Sequence, residues 1–111
     1  MRRFNVTMQT ETDKIAIHKE LCDTIHSLYE SKNHDYGDSV HDTYKKFGLV
    51  SFIVRMEDKL NRLETLYKNP KDAKVLDEKI QDTLLDLANY AIIAITELKS
   101  DELQNKMEAN H

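Results

Sequence analysis

Gly37, Gly48 and Pro70 are the only glycines and the only proline in a chain of 111 residues. Glycine interrupts regular structure through its extra backbone freedom, and proline through its missing N–H. With so few breakers, the elements between them are long and uninterrupted. Leu, Lys, Asp and Glu are the commonest of the rest, so those elements are expected to be helices. The length suits one small domain and leaves no room for a second core. At 40% hydrophobic and 32% charged residues, the composition favours a folded chain over a disordered one.

Residues 1–9 alternate loosely, with Phe4, Val6 and Met8 on one side, and read as a short strand or a draped N-terminal arm. Thr10 with Asp13 resembles a capping box, and the first helix is expected over residues 11–31. Ile15, Leu21, Ile25, Leu28 and Tyr29 supply its apolar face. The string KNHDYGDS, built around Gly37, is the strongest loop signal. Ser39 with Asp42 is expected to cap a short helix that ends near Gly48. The next helix is expected over residues 49–68, with Phe52, Ile53, Met56, Leu60 and Leu63 inward, and Asn69-Pro70 stops it. The last major helix is expected over residues 75–98. The domain plan is thus an arm at 1–9, one helical domain at 10–98 and a polar tail at 99–111.

Apolar residues nearly encircle the last helix, apart from one stripe. A monomer of this size cannot easily cover such a helix on all sides. The expected fold is therefore all-α: an antiparallel bundle of about four helices, completed by a second or further copies of the same chain.

The exception to that apolar surround is Glu78, Asp82, Asp86 and Asn89, at spacings of three and four. The preceding helix carries a matching set, Arg55, Asp58, Lys59 and Arg62. Such spacings place each set along one helix face. A carboxylate among apolar residues needs a cation, a metal or a donor, because burying it unpaired is costly. Oxygen ligands at Glu78, Asp82 and Asp86 suit magnesium, which often takes one or two carboxylates plus substrate phosphates. The competing reading pairs Asp82 and Asp86 with Arg55, Lys59 or Arg62 across the bundle, fixing the register between helices. The cations suit phosphate, arginine by bidentate contact and lysine as a point charge; they also suit an ordinary charged border on an amphipathic helix. Asn89 and Tyr90 are able to contact a base or ribose, or to serve as core hydrogen bonders. Tyr36, in the loop with His34, Asp35, Gly37 and Asp38, is either a stacking platform on a lid or a residue packed down in a plain turn.

Other signals exclude more than they support. The net charge of −4 argues against a nucleic-acid polymer as partner, since phosphate backbones need a basic surface. A small phosphorylated ligand needs only a local basic patch. Cys22 is the only cysteine, which rules out an internal disulfide and fits a reducing cytoplasm. No apolar run is long enough to span a membrane, and MRRFNVTMQT lacks the apolar core of a signal peptide. His18, Cys22 and His26 share a helix face, yet they lack a fourth zinc ligand. Glycine-rich phosphate loop, nucleophile elbow and HExxH pair are all missing, so covalent catalysis has no candidate.

The strings NHDYGDSV, FGLVSFIVRMEDKLNRLETL and DEKIQDTLLDLANYAIIAI resemble the phage and bacterial family called nucleotide modification associated domain 1. The resemblance covers roughly residues 25–98 and implies a link to nucleotide metabolism, often in phage genomes. More distantly, the helical layout resembles the all-α nucleoside triphosphate pyrophosphatases of the MazG and dimeric dUTPase type. Those enzymes hold magnesium with an ExxE pair on one helix and an ExxD pair on the next. Glu78, Asp82 and Asp86 are a loose counterpart of the second pair. Where the first pair belongs, this chain has Asp58 followed by Lys59 and Arg62.

The resulting expectation is a homo-oligomeric nucleotide-binding protein, a dimer or larger, that requires no cofactor, with magnesium as an option. Tyr36, Arg55, Lys59, Arg62, Asp82, Asp86, Asn89 and Tyr90 would hold the nucleotide. A viral version would work in the host cytoplasm, sequestering a nucleotide signal made by host defence. The alternative is a magnesium-dependent pyrophosphohydrolase using Glu78, Asp82 and Asp86. A second alternative is a structural helical oligomer whose stripes are salt bridges.

Overall fold

In the computed structural model the described residues are 2–36, 38–69 and 72–110, and the side chains of 2–9 and 34–36 lie outside the description. Four α-helices follow in order: α1 Arg2–Tyr36, α2 Ser39–Phe47, α3 Val50–Lys68 and α4 Ala73–Ala109. No strand occurs among the described residues, so the chain is all-α as its composition predicts. It divides into two units, Met1–Gly37 and Asp38–His111. That division falls inside the stretch 10–98 read as a single domain.

The first unit is α1. It starts at Arg2, so residues 2–9 are helical and not the strand or arm that their alternation suggested. With no glycine or proline before Gly37, a helix begun anywhere in this stretch meets no breaker. The same helix runs through His34, Asp35 and Tyr36, which shortens the expected loop. Ile15, Ile17, Leu21 and Leu28 are exposed along α1.

The second unit holds α2, α3 and α4. Asp38, one residue earlier than expected, caps α2: its carboxylate accepts the His41 N–H at 3.1 Å, satisfying one of the free donors of the first turn. Gly48 ends α2 with φ +72° and donates its N–H to the Tyr44 carbonyl at 2.7 Å. That left-handed conformation costs glycine little and other residues more. Asp72 caps α4 by accepting from the N–H groups of Lys74 and Val75 at 3.0 and 3.2 Å. Beyond Leu98, where a polar tail was expected, α4 continues to Ala109. Its last residues are mostly good helix formers without glycine or proline, and they need no packing partner to extend an existing helix.

The core of this unit is small. Phe52 is fully buried, and Tyr44, Ile93 and Ala94 are nearly so. The rings of Tyr44 and Phe52 lie 5.7 Å apart, tilted by 50°, a favourable aromatic arrangement. Lys59 meets Asp86, and four residues earlier Arg55 meets Tyr90, four residues later. The numbering runs in opposite directions, so α3 and α4 are antiparallel. His41 meets Glu97 and Tyr44 meets Asp101; here the numbering rises together, so α2 runs with α4. Among the described residues, no helix is long and apolar enough to cross a membrane.

Candidate functional site

A single row on α4 meets both neighbouring helices. Asp86, Tyr90, Glu97 and Asp101 are spaced by four, seven and four residues and so fall near one face. Asp86 and Tyr90 engage α3, while Glu97 and Asp101 engage α2.

At the α3 end, Lys59 Nζ lies 3.3 Å from Asp86 Oδ2. The Arg55 guanidinium sits 5.7 Å from the centroid of the Tyr90 ring, within range of a cation–π attraction. The two stripes read from the sequence therefore do face each other. The pairing covers only part of each. Arg62, Asp58, Glu78 and Asp82 are exposed and form no ion pair among the described residues. Glu78, Asp82 and Asp86 do not form a group of converging metal-ligand atoms among those residues. Asn89 is half-buried, and its side chain makes no hydrogen bond among the described residues. What this face offers chemically is a free guanidinium, an ion pair that can open toward an anion, an aromatic ring and an unpaired amide.

Tyr36 belongs to α1, in the other unit, and its side chain lies outside the described residues, as does Gly37. The histidine row of α1 does not close on a metal. Cys22 Sγ lies 3.9 Å from His18 Nδ1, while His26 Nε2 turns to Glu30 at 3.1 Å, all of them exposed.

At the α2 end is an arrangement that the sequence reading missed. His41 Nδ1 and Glu97 Oε2 are 2.7 Å apart. The Tyr44 hydroxyl donates to Asp101 Oδ2 at 2.6 Å, and Lys45 Nζ stands 3.7 Å from the other oxygen of that carboxylate. Hydrogen bonding to Glu97 raises the His41 pKa above its ordinary 6.5, against the opposing effect of burial. The bond to Asp101 likewise raises the Tyr44 pKa above 10.0. A signal was present: Glu97 and Asp101 continue the Asp82–Asp86 row about three and four turns further on, beyond the apolar run at which the row had seemed to end.

A family model described as nucleotide modification associated domain 1 matches residues 32–98, which takes in Asp38, His41, both charged stripes and Glu97. No curated protein and no solved structure matches the chain.

Proposed function

The chain belongs to the nucleotide modification associated domain 1 family, and from that membership we propose that it is a homo-oligomeric protein that holds a small phosphorylated nucleotide. The observation that carries this reading is the uneven pairing of the α3–α4 face. Arg62 stands unpaired one turn from the Lys59–Asp86 ion pair, with Arg55, Tyr90 and Asn89 farther along the same two helices. Arg62 and Lys59 would take the phosphates, since guanidinium and ammonium groups are the usual partners of phosphate oxygens. Asp82 and Asp86 would orient those cations. Asn89 and Tyr90 would read the ribose or base. Oligomerisation is supported by the apolar surface left bare: Val50, Ile53, Val54, Leu60, Leu84, Ile92 and Ile95 are each 47–59% exposed. In a viral setting, tight holding without turnover would sequester a nucleotide signal of host defence.

The test is incubation with a nucleotide panel, with and without magnesium, followed by denaturation and identification of what is released. Intact nucleotide, retained through gel filtration, is the expected result. Magnesium-dependent products with turnover would replace this reading with a pyrophosphohydrolase using Asp82, Asp86 and Glu78 or Asp58. No retained nucleotide and no thermal shift would leave a structural oligomer.

A further inference from the structure

Away from the α3–α4 face, Asp38, His41 and Glu97 each direct a ligand atom to one place, with the three atoms within 4.8 Å of one another. They come from the N-cap of α2, its first turn, and α4 more than fifty residues later. We propose that these three side chains bind a divalent transition-metal ion of the zinc or manganese kind, at a site separate from the nucleotide face.

The donor set narrows the ion. One imidazole and two carboxylates suit zinc, manganese or iron, whereas magnesium and calcium prefer oxygen alone. Three protein ligands leave coordination positions open for water or a small anion.

Two features hold the ligands in place. Asp38 Oδ1 accepts the His41 backbone N–H, which fixes these two residues relative to each other and leaves Oδ2 without a hydrogen bond among the described residues. Across the next turn, the Tyr44–Asp101 hydrogen bond ties α2 to α4, and the Tyr44–Phe52 ring contact ties it to α3. Ligands supported in this way lose little freedom when an ion arrives.

The burial of Glu97 points to a ligand independently. Its side chain is only 7% exposed, and among the described residues its sole hydrogen-bond partner is His41, itself 35% exposed. A buried carboxylate with one neutralisable partner is expensive to keep. A divalent cation would compensate it fully. The 2.7 Å between His41 Nδ1 and Glu97 Oε2 is also close to the roughly 3 Å that separates neighbouring donors on an ion with bonds of ~2.0–2.2 Å. Metal would therefore replace the proton shared by this pair with small movement, and Asp38 would close in from within 4.8 Å. The nearby cation Lys45 is drawn off by Asp101, and so does not occupy the position.

The experiment uses the full chain without nucleotide, so its failure leaves the nucleotide reading intact. Protein stripped with EDTA is titrated with zinc and, separately, manganese by calorimetry, and bound metal is counted after dialysis. One ion per chain is expected, with magnesium giving no signal at the same concentration. His41→Ala is expected to weaken binding at least 100-fold, while His18→Ala, on the α1 histidine row, leaves it unchanged. If His41→Ala fails to fold, Asp38→Asn serves instead, since it keeps an oxygen able to cap α2 and removes the charged ligand. Absent or non-stoichiometric binding, or binding that survives both the His41 and Asp38 substitutions, overturns the proposal.

Discussion

Lys59 and Asp86 form the ion pair that joins the two charged stripes, with Nζ and Oδ2 3.3 Å apart. Their side chains are 28% and 47% exposed, so water screens the pair and its contribution to stability is small. Exposed pairs typically contribute ~0.2–1 kcal/mol. A pair this weak is a poor reason to keep a charge beside an apolar helix face, and a reasonable gate for a stronger anion. A double-mutant cycle with Lys59→Ala and Asp86→Ala should give a coupling of no more than about 1 kcal/mol in urea unfolding. Nucleotide affinity should fall far more for Lys59→Ala than for an exposed lysine elsewhere. A coupling of several kcal/mol would mark the pair as structural.

Arg62 carries the sharper test of the same face. It is exposed and has no ion-pair partner among the described residues, so nothing in the fold rests on its charge. Arg62→Ala should change the unfolding midpoint by no more than ~0.5 kcal/mol equivalent while abolishing nucleotide retention in gel filtration. Loss of assembly with retained binding would assign the stripe to an interface.

Among the described residues Phe52 is the one large side chain with no exposed surface, and it carries the packing of α2 on α3 through Tyr44. Phe52→Ala should cost about 3–5 kcal/mol, measured by urea denaturation. Gly48 offers a contrasting case. A methyl group there would meet nothing within 4 Å, yet φ is +72°, so Gly48→Ala should cost about 1–2 kcal/mol from backbone strain alone.

The helices were legible because their determinants are local. Breakers at Gly48 and Pro70, and the apolar period of α3, lie within a few residues of the elements they define. The start of α1 differs from expectation because the alternation of Phe4, Val6 and Met8 mimics a strand, and the end of α4 because residues 99–109 are mostly polar, and polarity reports exposure, not helix content. Of the candidate site, the facing of Lys59 and Asp86 followed from spacing on each helix. The meeting of His41 with Glu97 did not. It depends on the tight turn at Gly48, which folds α2 back to run with α4, and no spacing within either helix encodes that long-range contact.

Tyr44 gives a pH signature set mainly by Asp101, with a smaller electrostatic contribution from Glu97. Its hydroxyl donates to Asp101, which raises its pKa above 10.0 in the folded chain. The folded state thus holds its proton at pH values where the unfolded chain has begun to lose it. The contribution of this bond is complete below about pH 10, the unfolded value, and is lost as pH rises through the folded one. Between pH 9 and 11 the wild type should lose stability more steeply than Tyr44→Phe. The difference in phenolate absorbance between the two should appear only above pH 10. Parallel stability curves would show that the bond does not form in solution.

Ile92 and Ile95 test whether the bare face of α4 is covered by another copy. They are 51% and 53% exposed and stand three residues apart on one side of the helix. In a monomer, a polar residue at either position would sit in water and change stability by no more than ~0.5 kcal/mol. In an oligomer built on this face, a carboxylate would be buried without a partner, and association would fail. Ile92→Glu should therefore shift the sedimentation coefficient to that of a single chain while leaving the helical signal in circular dichroism unchanged. A wild type that already sediments as a monomer at micromolar concentration would remove the oligomer from the proposed function. The nucleotide face would then have to act within one chain.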